Sequence, residues 1–233
     1  NLSVRFFGVT HSIPDSMGII IETPYGQLIT PGDYKLDHRD GVPTEKEEKT
    51  YAAFAHTNNL LLMTDSTNIE NPGFSTPERL VGENLAEIVR TVKTRLIISM
   101  FASHITRIAK IIEACEAYNK KVVIEGRSMK NNVDICIAAG LITVSAKTII
   151  PATEIGNYPG DRIVVLATGA QGDEFAALTR LANKSHKQLR LNENDTVVLS
   201  SSIVPGNEKA VQDLKDNIAR HGAKILHYRT SEV

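Results

Sequence analysis

Three turns in the first third of the sequence carry side chains with ligand or acid–base chemistry. His11 follows an apolar strand pattern, Asp33 stands beside a glycine after a second strand pattern, and Asp65 ends the apolar run Asn59–Thr64. Imidazole and carboxylate are zinc ligands, a carboxylate can bridge two cations, and a histidine can also serve as acid or base. Each of these three residues also has a purely structural explanation, since histidines in loops often form hydrogen bonds with the backbone and aspartates in such positions form turns or helix caps.

Four further turns place small, polar or basic residues between a strand pattern and a helix pattern. Ser103 is predicted to cap its helix, where free N–H groups and the helix dipole favour an anion. No turn has the spacing of a dinucleotide-binding fingerprint or a P-loop, so the pattern indicates phosphate binding without an NTPase or Rossmann site. The candidate phosphate-binding residues are Ser103, His104, Arg107, Arg127, Ser128, Gly169, Gln171, Ser201, Ser202 and Asn207.

The elements that position these turns alternate between strand and helix over roughly residues 67–233. Such alternation predicts βαβ units and an α/β fold with a doubly wound, mostly parallel sheet. In that fold the carboxyl ends of the strands converge on one crevice, so the four turns are expected at one edge. The predicted strands are 95–100, 121–124, 162–167 and 196–200, and the predicted helices are 77–92, 103–118, 131–139, 173–183 and 207–221.

The first 66 residues have a different pattern. Strands are predicted at 3–9, 17–23 and 27–30, followed by the apolar run at 59–64. The polar segment Asp37–Thr50 has mixed charges and no periodicity, and we interpret it as a loop. With no helix predicted, this region is expected to be an incomplete β-rich piece of a separate domain.

Composition permits several classes of protein and excludes a few. The 233 residues carry a formal net charge of −1, so binding to nucleic acid would need a local basic groove. No apolar run has the roughly 20 residues that a membrane helix needs, and no signal segment is present. The two cysteines, Cys115 and Cys136, lie in apolar helix patterns, which predicts buried thiols, a cytoplasmic location and no thiolate zinc site.

Together the turns resemble one family. T-H-S-I-P-D-S, P-G-D-Y-K, D-S-T-N, F-A-S-H-I-T-R, G-R-S-M, T-G-A-Q-G-D and S-S-S-I-V-P-G-N-E occur in the order found in ribonuclease J, a metallo-β-lactamase-fold ribonuclease with a β-CASP insertion. The resemblance covers essentially the whole chain. It implies that residues 1–66 are the C-terminal part of a metallo-β-lactamase domain and that residues 67–233 are a β-CASP domain.

The resemblance also implies roles for individual residues. His11 would ligate one of two zinc ions, Asp33 would bridge both, and Asp65 would be an acidic residue at the edge of the active centre. Ser103 would lie near a pocket for a 5′-terminal phosphate. The implied activity is zinc-dependent 5′-to-3′ exonuclease and endonuclease cleavage of single-stranded RNA in rRNA processing and mRNA decay, by a homo-oligomer.

Departures from the family pattern limit what this chain alone is expected to do. The ligand motif His-x-His-x-Asp-His is absent and is expected before residue 1, and a Ser-Gly-His segment is expected to begin about where residues 227–233 end the sequence. Ala170, Asp173 and Pro31 replace a usual Ser, Glu and Thr. With two of the zinc ligands, the chain is expected to clamp RNA without cleaving it.

Two other classes of protein remain open from the residues. A non-catalytic nucleotide- or phosphate-binding α/β module would explain the four turns equally well. A structural or assembly domain would explain the fold but not the clustering of polar turns. His11 and Asp33 discriminate, because a pure binding module does not need ligand-type residues on a separate β-rich segment.

Overall fold

The computed structural model describes residues 2–227, 231 and 233. The chain divides into two compact units, with the bounds Asn1–Glu78 and Arg79–Val233. The segment that is predicted to precede a Ser-Gly-His motif includes residues 228–230 and 232, which lie outside the described residues. The domain boundary predicted after residue 66 stays a prediction, while the compact units divide twelve residues later, after Glu78.

The first unit is built on a four-stranded sheet of order β1-β2-β3-β6. β1 pairs antiparallel with β2, β2 pairs antiparallel with β3, and β3 pairs parallel with β6. Strands β1, β3 and β6 therefore run in the same direction, so their carboxyl ends lie at one edge of the sheet. In chain order the elements are β1 (Ser3–Gly8), β2 (Met17–Thr23), β3 (Gly26–Thr30), β4 (His38–Arg39), β5 (Val42–Pro43), α1 (Glu45–Ala52) and β6 (Asn59–Leu62).

The prediction of a loop over Asp37–Thr50, in a region without a helix, is wrong, because β4, β5 and α1 lie there. Helix α1 lacks an apolar stripe and is stabilised in other ways. Its first turn carries three glutamates, which favour a helix N-terminus, and Glu45 forms an ion pair with Lys49 one turn on. Tyr51 packs edge-on to Phe7, and burial, with Glu47 as the second cause, raises the Tyr51 pKa to about 12.

The second unit contains a five-stranded sheet of order β11-β10-β7-β9-β8, in which every neighbouring pair is parallel. Helices connect the strands, so the predicted doubly wound α/β fold is confirmed. The elements are α2 (Glu78–Thr91), β7 (Arg95–Ser99), α3 (Ile105–Ala117), β8 (Lys121–Glu125), α4 (Arg127–Ala138), β9 (Ile163–Ala167), α5 (Ala177–Ala182), β10 (Asp195–Leu199), α6 (Glu208–Ala219) and β11 (Lys224–His227).

Both faces of this sheet are covered by apolar side chains. Alternate strand residues point to opposite faces, so Leu96 and Ile98 join one core while Ile97 joins the other. The first core includes buried side chains of α2, α3 and α4, and the second includes those of α5 and α6. A sheet buried on both faces explains why its strands are continuous apolar runs in the sequence.

Two helix boundaries differ by several residues from the predicted ones, and one strand was not predicted. Helix α4 begins at Arg127 rather than at 131, because its polar first turn is helical despite lacking apolar periodicity. The helix predicted over 173–183 shortens to α5, since residues 173–176 form a turn closed by the Ala176 N–H and the Asp173 carbonyl. Strand β11 has no predicted counterpart.

The cysteines and the apolar content of the helices were also considered in the sequence. Cys115 and Cys136 are free and buried, as predicted. Among the described residues, no helix combines the length and apolar character needed to span a bilayer.

Candidate functional site

The three candidate catalytic residues of the first unit follow strands that point the same way. His11 comes after β1, Asp33 after β3 and Asp65 after β6, so all three follow carboxyl ends at one edge of the sheet. All three side chains are exposed. The topology therefore places an imidazole and two carboxylates on the same side of this unit.

Asp65 takes part in a local turn as well as in the electrostatics of this edge. Its Oδ1 accepts hydrogen bonds from the Thr67 hydroxyl at 2.7 Å and from the Thr67 backbone N–H at 2.8 Å. These two bonds lower the pKa of Asp65, and the charge of His11 lowers it further. Hence His11 lies near enough to interact electrostatically with the carboxylate, while the turn role that the sequence left open for Asp65 is present.

These residues do not make a complete metal centre. Within the described part of the chain, no group of three or more His, Cys, Asp or Glu side chains could hold a metal ion. Protein zinc sites use three or four such ligands around each ion. The residues present therefore do not fit a two-zinc centre by themselves, and His11 and Asp33 can supply only part of one.

The second unit has its candidate residues at one edge of its sheet, which we call the carboxyl rim: the turns 100–104, 126–128, 168–176 and 200–207. These turns follow β7, β8, β9 and β10, which are neighbours and parallel. The predicted convergence of the four turns is confirmed. The backbone hydrogen bonds between neighbouring strands continue into the carboxyl rim. There the Met100 N–H donates to the Ala167 carbonyl, and the Ser200 N–H donates to the Ser99 carbonyl at 2.8 Å.

Gln171 joins two turns of the carboxyl rim. Its side chain is 5% exposed, and its Nε2 donates to the Ser201 hydroxyl at 3.1 Å and to the Ser202 carbonyl at 2.8 Å. Its Oε1 accepts from the Val204 N–H at 2.8 Å and, at 3.4 Å, from Asn207 Nδ2. The structure thus brings four predicted residues together through an amide whose donor and acceptor are both used within the protein.

Two other predicted residues, Arg107 and Gly169, also have structural roles within the second unit. Arg107 is buried, and its Nη1 donates to the Ser200 carbonyl at 2.6 Å and to the Ser200 hydroxyl at 3.0 Å. Gly169 has a φ of +110°, and a Cβ there would approach the Cβ of Ala176 to 2.6 Å. A glycine is needed for this close approach, whatever else the turn binds.

Helix N-termini at the carboxyl rim leave backbone N–H groups facing the edge. The prediction that Ser103 caps α3 is wrong: α3 begins at Ile105 and His104 holds the N-cap position, because the His104 carbonyl accepts the hydrogen bond from the Ile108 N–H. In the described chain, neither α4 nor α6 has a side-chain cap hydrogen bond at its N-cap. Arg127 and Ser128 are exposed in the first turn of α4.

A buried pair beside the second turn was missed by the sequence analysis. His186 is 4% exposed, and its Nδ1 accepts the Leu189 N–H at 3.2 Å. Nε2 therefore carries the proton in the neutral ring and donates to Glu125 Oε2 at 3.1 Å, at the carboxyl end of β8. The partners are 61 residues apart, and no local pattern marks His186 as different from a loop histidine.

The family model described as "Ribonuclease J, beta-CASP domain" matches residues 93–218. This range is more than half of the chain and contains all four turns of the carboxyl rim. The chain belongs to the ribonuclease J family. The family expected from the sequence is thereby confirmed.

Curated relatives match over nearly all of this chain. Ribonuclease J 1 of Streptococcus pyogenes is 37% identical over 100% of the chain, and ribonuclease J of Mycoplasma genitalium is 37% identical over 97%. Ribonuclease J2 of Bacillus subtilis is 33% identical over 96%. The chain spans between 39% and 41% of the length of these ribonuclease J proteins.

A solved structure has a similar fold. It is a crystal structure of a protein of unknown function from Enterococcus faecalis V583, with a TM-score of 0.66 and 16% sequence identity. The match covers 97% of this chain and 52% of that one. At this identity the likeness concerns the fold alone.

Proposed function

We propose that this chain is the RNA-clamping part of a zinc-dependent ribonuclease J that cleaves single-stranded RNA both from the 5′ end and internally, in rRNA processing and mRNA decay. The observation that carries the proposal is the carboxyl rim, where four strand-to-helix turns and the N-termini of α4 and α6 share one edge. Backbone N–H groups and the positive helix ends favour phosphate there.

Within the carboxyl rim we divide the candidate residues by their surroundings. Those proposed to touch RNA lie on the turns after β7, β8 and β10. The third turn carries the exposed acids Asp173 and Glu174, whose charges oppose a phosphate. The proposed RNA contacts are Ser103, His104, Arg127, Ser128, Ser202 and Asn207, and the proposed supporting residues are Arg107, Gly169, Gln171 and Ser201.

The proposed catalytic residues are His11, Asp33 and Asp65 in the first unit, with His11 and Asp33 as ligands of two zinc ions in the complete enzyme. Their place at one sheet edge supports this grouping. The further ligands must come from outside the described residues, since those hold no group of three. Bound zinc would supply a hydroxide nucleophile at neutral pH.

RNA binding is tested by fluorescence anisotropy with a single-stranded RNA at several salt concentrations. Arg127→Ala should weaken binding and flatten the slope of log K against log salt by about 0.7, because one phosphate contact is lost. Arg220→Ala, the same charge change at the far end of α6, is the matched control and should leave the slope unaltered. Equal effects of the two variants, or no RNA binding by the native chain, would contradict the proposal.

The missing ligands lead to a separate expectation about cleavage. This chain alone, incubated with 5′-monophosphorylated RNA and stoichiometric zinc, should show no cleavage above a no-protein control, because each ion would be under-coordinated. Metal-dependent cleavage that the substitution His11→Ala abolishes would refute this expectation.

Three finer features are part of the same proposal. We propose a preference for a 5′-monophosphate end, which is tested by comparing 5′-phosphate and 5′-hydroxyl forms of one RNA. We propose that the complete enzyme is a homo-oligomer. The two free, buried cysteines support the proposed location in the reducing cytoplasm.

One observation favours a second function, a non-catalytic phosphate- or nucleotide-binding module. The four turns of the carboxyl rim all lie in the second unit, so they need none of the candidate metal ligands of the first unit to bind an anion. A module of this kind should bind a 5′-mononucleotide as tightly as an RNA oligomer. An RNA clamp should bind the oligomer more tightly, because several phosphates are held at once.

A further inference from the structure

A second concentration of basic residues lies at the opposite edge of the sheet in the second unit. A pocket of roughly 300 Å³, which we call the amino-edge pocket, opens where α2 meets β7, where α3 meets β8 and just before β9. Because β7, β9 and β8 are parallel neighbours, these strand beginnings share one edge. The lining residues are Arg90, Val92, Lys93, Tyr118, Lys120, Asp161 and Arg162.

The charges that line the amino-edge pocket are unbalanced. Four cations and one carboxylate give its lining a formal net charge of +3. Arg90 forms an ion pair with Glu87, and the C-termini of α2 and α3 each contribute about half a negative charge. A net positive charge remains after both corrections, and it is concentrated in a small concave space.

Lys120 is the unusual member of the group. It is 7% exposed, and its Nζ donates to the Val92 carbonyl at 3.0 Å. An ammonium has three donors, so this bond leaves donors for a further acceptor. Burial lowers the pKa of Lys120; Cys115 and Asp161 oppose this shift, and the smaller effects of the Lys93 and Arg162 charges add to it. A bound anion would offset both the burial and the repulsion.

Helix capping explains part of this arrangement but not all of it. Lys120 and Arg162 donate to carbonyls near the ends of α2 and α3, as basic residues often do there. That role does not require Lys93, which is exposed and lines the same pocket. Helix capping also does not require a polar cavity between the two helix ends. An anion site requires both the cavity and a further cation such as Lys93.

We propose that the amino-edge pocket binds a phosphate group. Its volume is at the lower end of the range for ligand sites, which suits one phosphate with a small attached group rather than a long polyphosphate. Lys120 and Arg162, held by the helix ends, would donate to the phosphate oxygens, and Lys93 would close the open side. The phosphate could come from free phosphate, a mononucleotide or an RNA backbone.

The first test measures the melting temperature of the whole chain in sodium phosphate and in sodium chloride of equal ionic strength. Phosphate should raise the melting temperature in a saturable way, because it binds the folded state. Lys93→Ala should weaken the phosphate affinity roughly two- to fivefold, and Lys120→Met should weaken it by about tenfold or more. Lys110→Ala, on α3 and outside the pocket, is the control and should have no effect.

The measurements distinguish a phosphate site from its absence, and then identify the source of the phosphate. Identical melting curves in the two salts, or equal phosphate affinity in the native chain and Lys93→Ala, would overturn the proposal, even if Lys120→Met fails to fold. RNA affinity then identifies the source of the phosphate: a loss in Lys93→Ala that matches its phosphate defect indicates the RNA backbone, and unchanged RNA affinity indicates a small-molecule phosphate. The result does not depend on the carboxyl rim, which Arg127→Ala tests.

Discussion

The substitution Gln171→Ala tests how the carboxyl rim is held together. It removes three hydrogen bonds of ordinary length, to Ser201, Ser202 and Val204, and the longer one from Asn207. Each bond contributes roughly 0.5–1.5 kcal/mol, and water can replace some of them because Ser202 is exposed. We therefore expect the free energy of unfolding to fall by about 2–3 kcal/mol.

Urea denaturation of the native chain and of Gln171→Ala gives this difference. The matched control is Gln212→Ala, which removes a single exposed bond to Asp216 on α6 and should change stability by no more than about 0.5 kcal/mol. RNA affinity should fall in Gln171→Ala alone, because the turn after β10 loses its fixed position. A loss of stability no larger than that of Gln212→Ala would show that Gln171 does not support the rim as described.

Three other expectations concern single residues that stabilise the fold. Asp195 is 1% exposed and receives two bonds from the Arg95 guanidinium, so Asp195→Ala should cost about 3–5 kcal/mol in urea denaturation; a cost below 1 kcal/mol would contradict the buried pairing. The Tyr51 pKa of about 12 means that the neutral phenol stabilises the fold fully below the ordinary pKa of 10.0, and that this contribution is lost as the pH rises through 12. Because the chain has six tyrosines, the difference in phenolate absorbance between the native chain and Tyr51→Phe during an alkaline titration measures it, and a difference with its midpoint near 10 would refute the burial. Gly126→Ala should destabilise by about 1–3 kcal/mol, because φ is +112° and the new Cβ would approach the Thr168 hydroxyl oxygen to 2.4 Å; an unchanged melting temperature would be the contrary result.

The parallel sheet and its convergent turns could be predicted because they depend on local signals. Apolar runs such as Ile163–Ala167 mark buried strands, and helix patterns between them require parallel connections. Helix α1 could not be predicted in this way, because Glu45–Ala52 has no apolar stripe. Its stability comes from charges near its ends and from the rings that it packs against, which become visible only in three dimensions.

The candidate site was predictable in its residue types but not in their partners. Gln171 was expected to touch phosphate, yet its amide is engaged by residues at least 30 positions away. Arg107 is similar, since its partner Ser200 lies 93 positions along the chain. A sequence motif shows which groups are available, whereas only the fold shows which of them are already used inside the protein.

The order of the strands has a consequence for how this surface can change over time. Successive turns of the carboxyl rim are separated by whole helices in sequence, although they are neighbours in space. An altered turn therefore leaves the register of the strands intact, because no turn is also a hairpin that sets strand pairing. One side of the molecule can acquire new binding preferences piece by piece while the apolar layers beneath it remain the same.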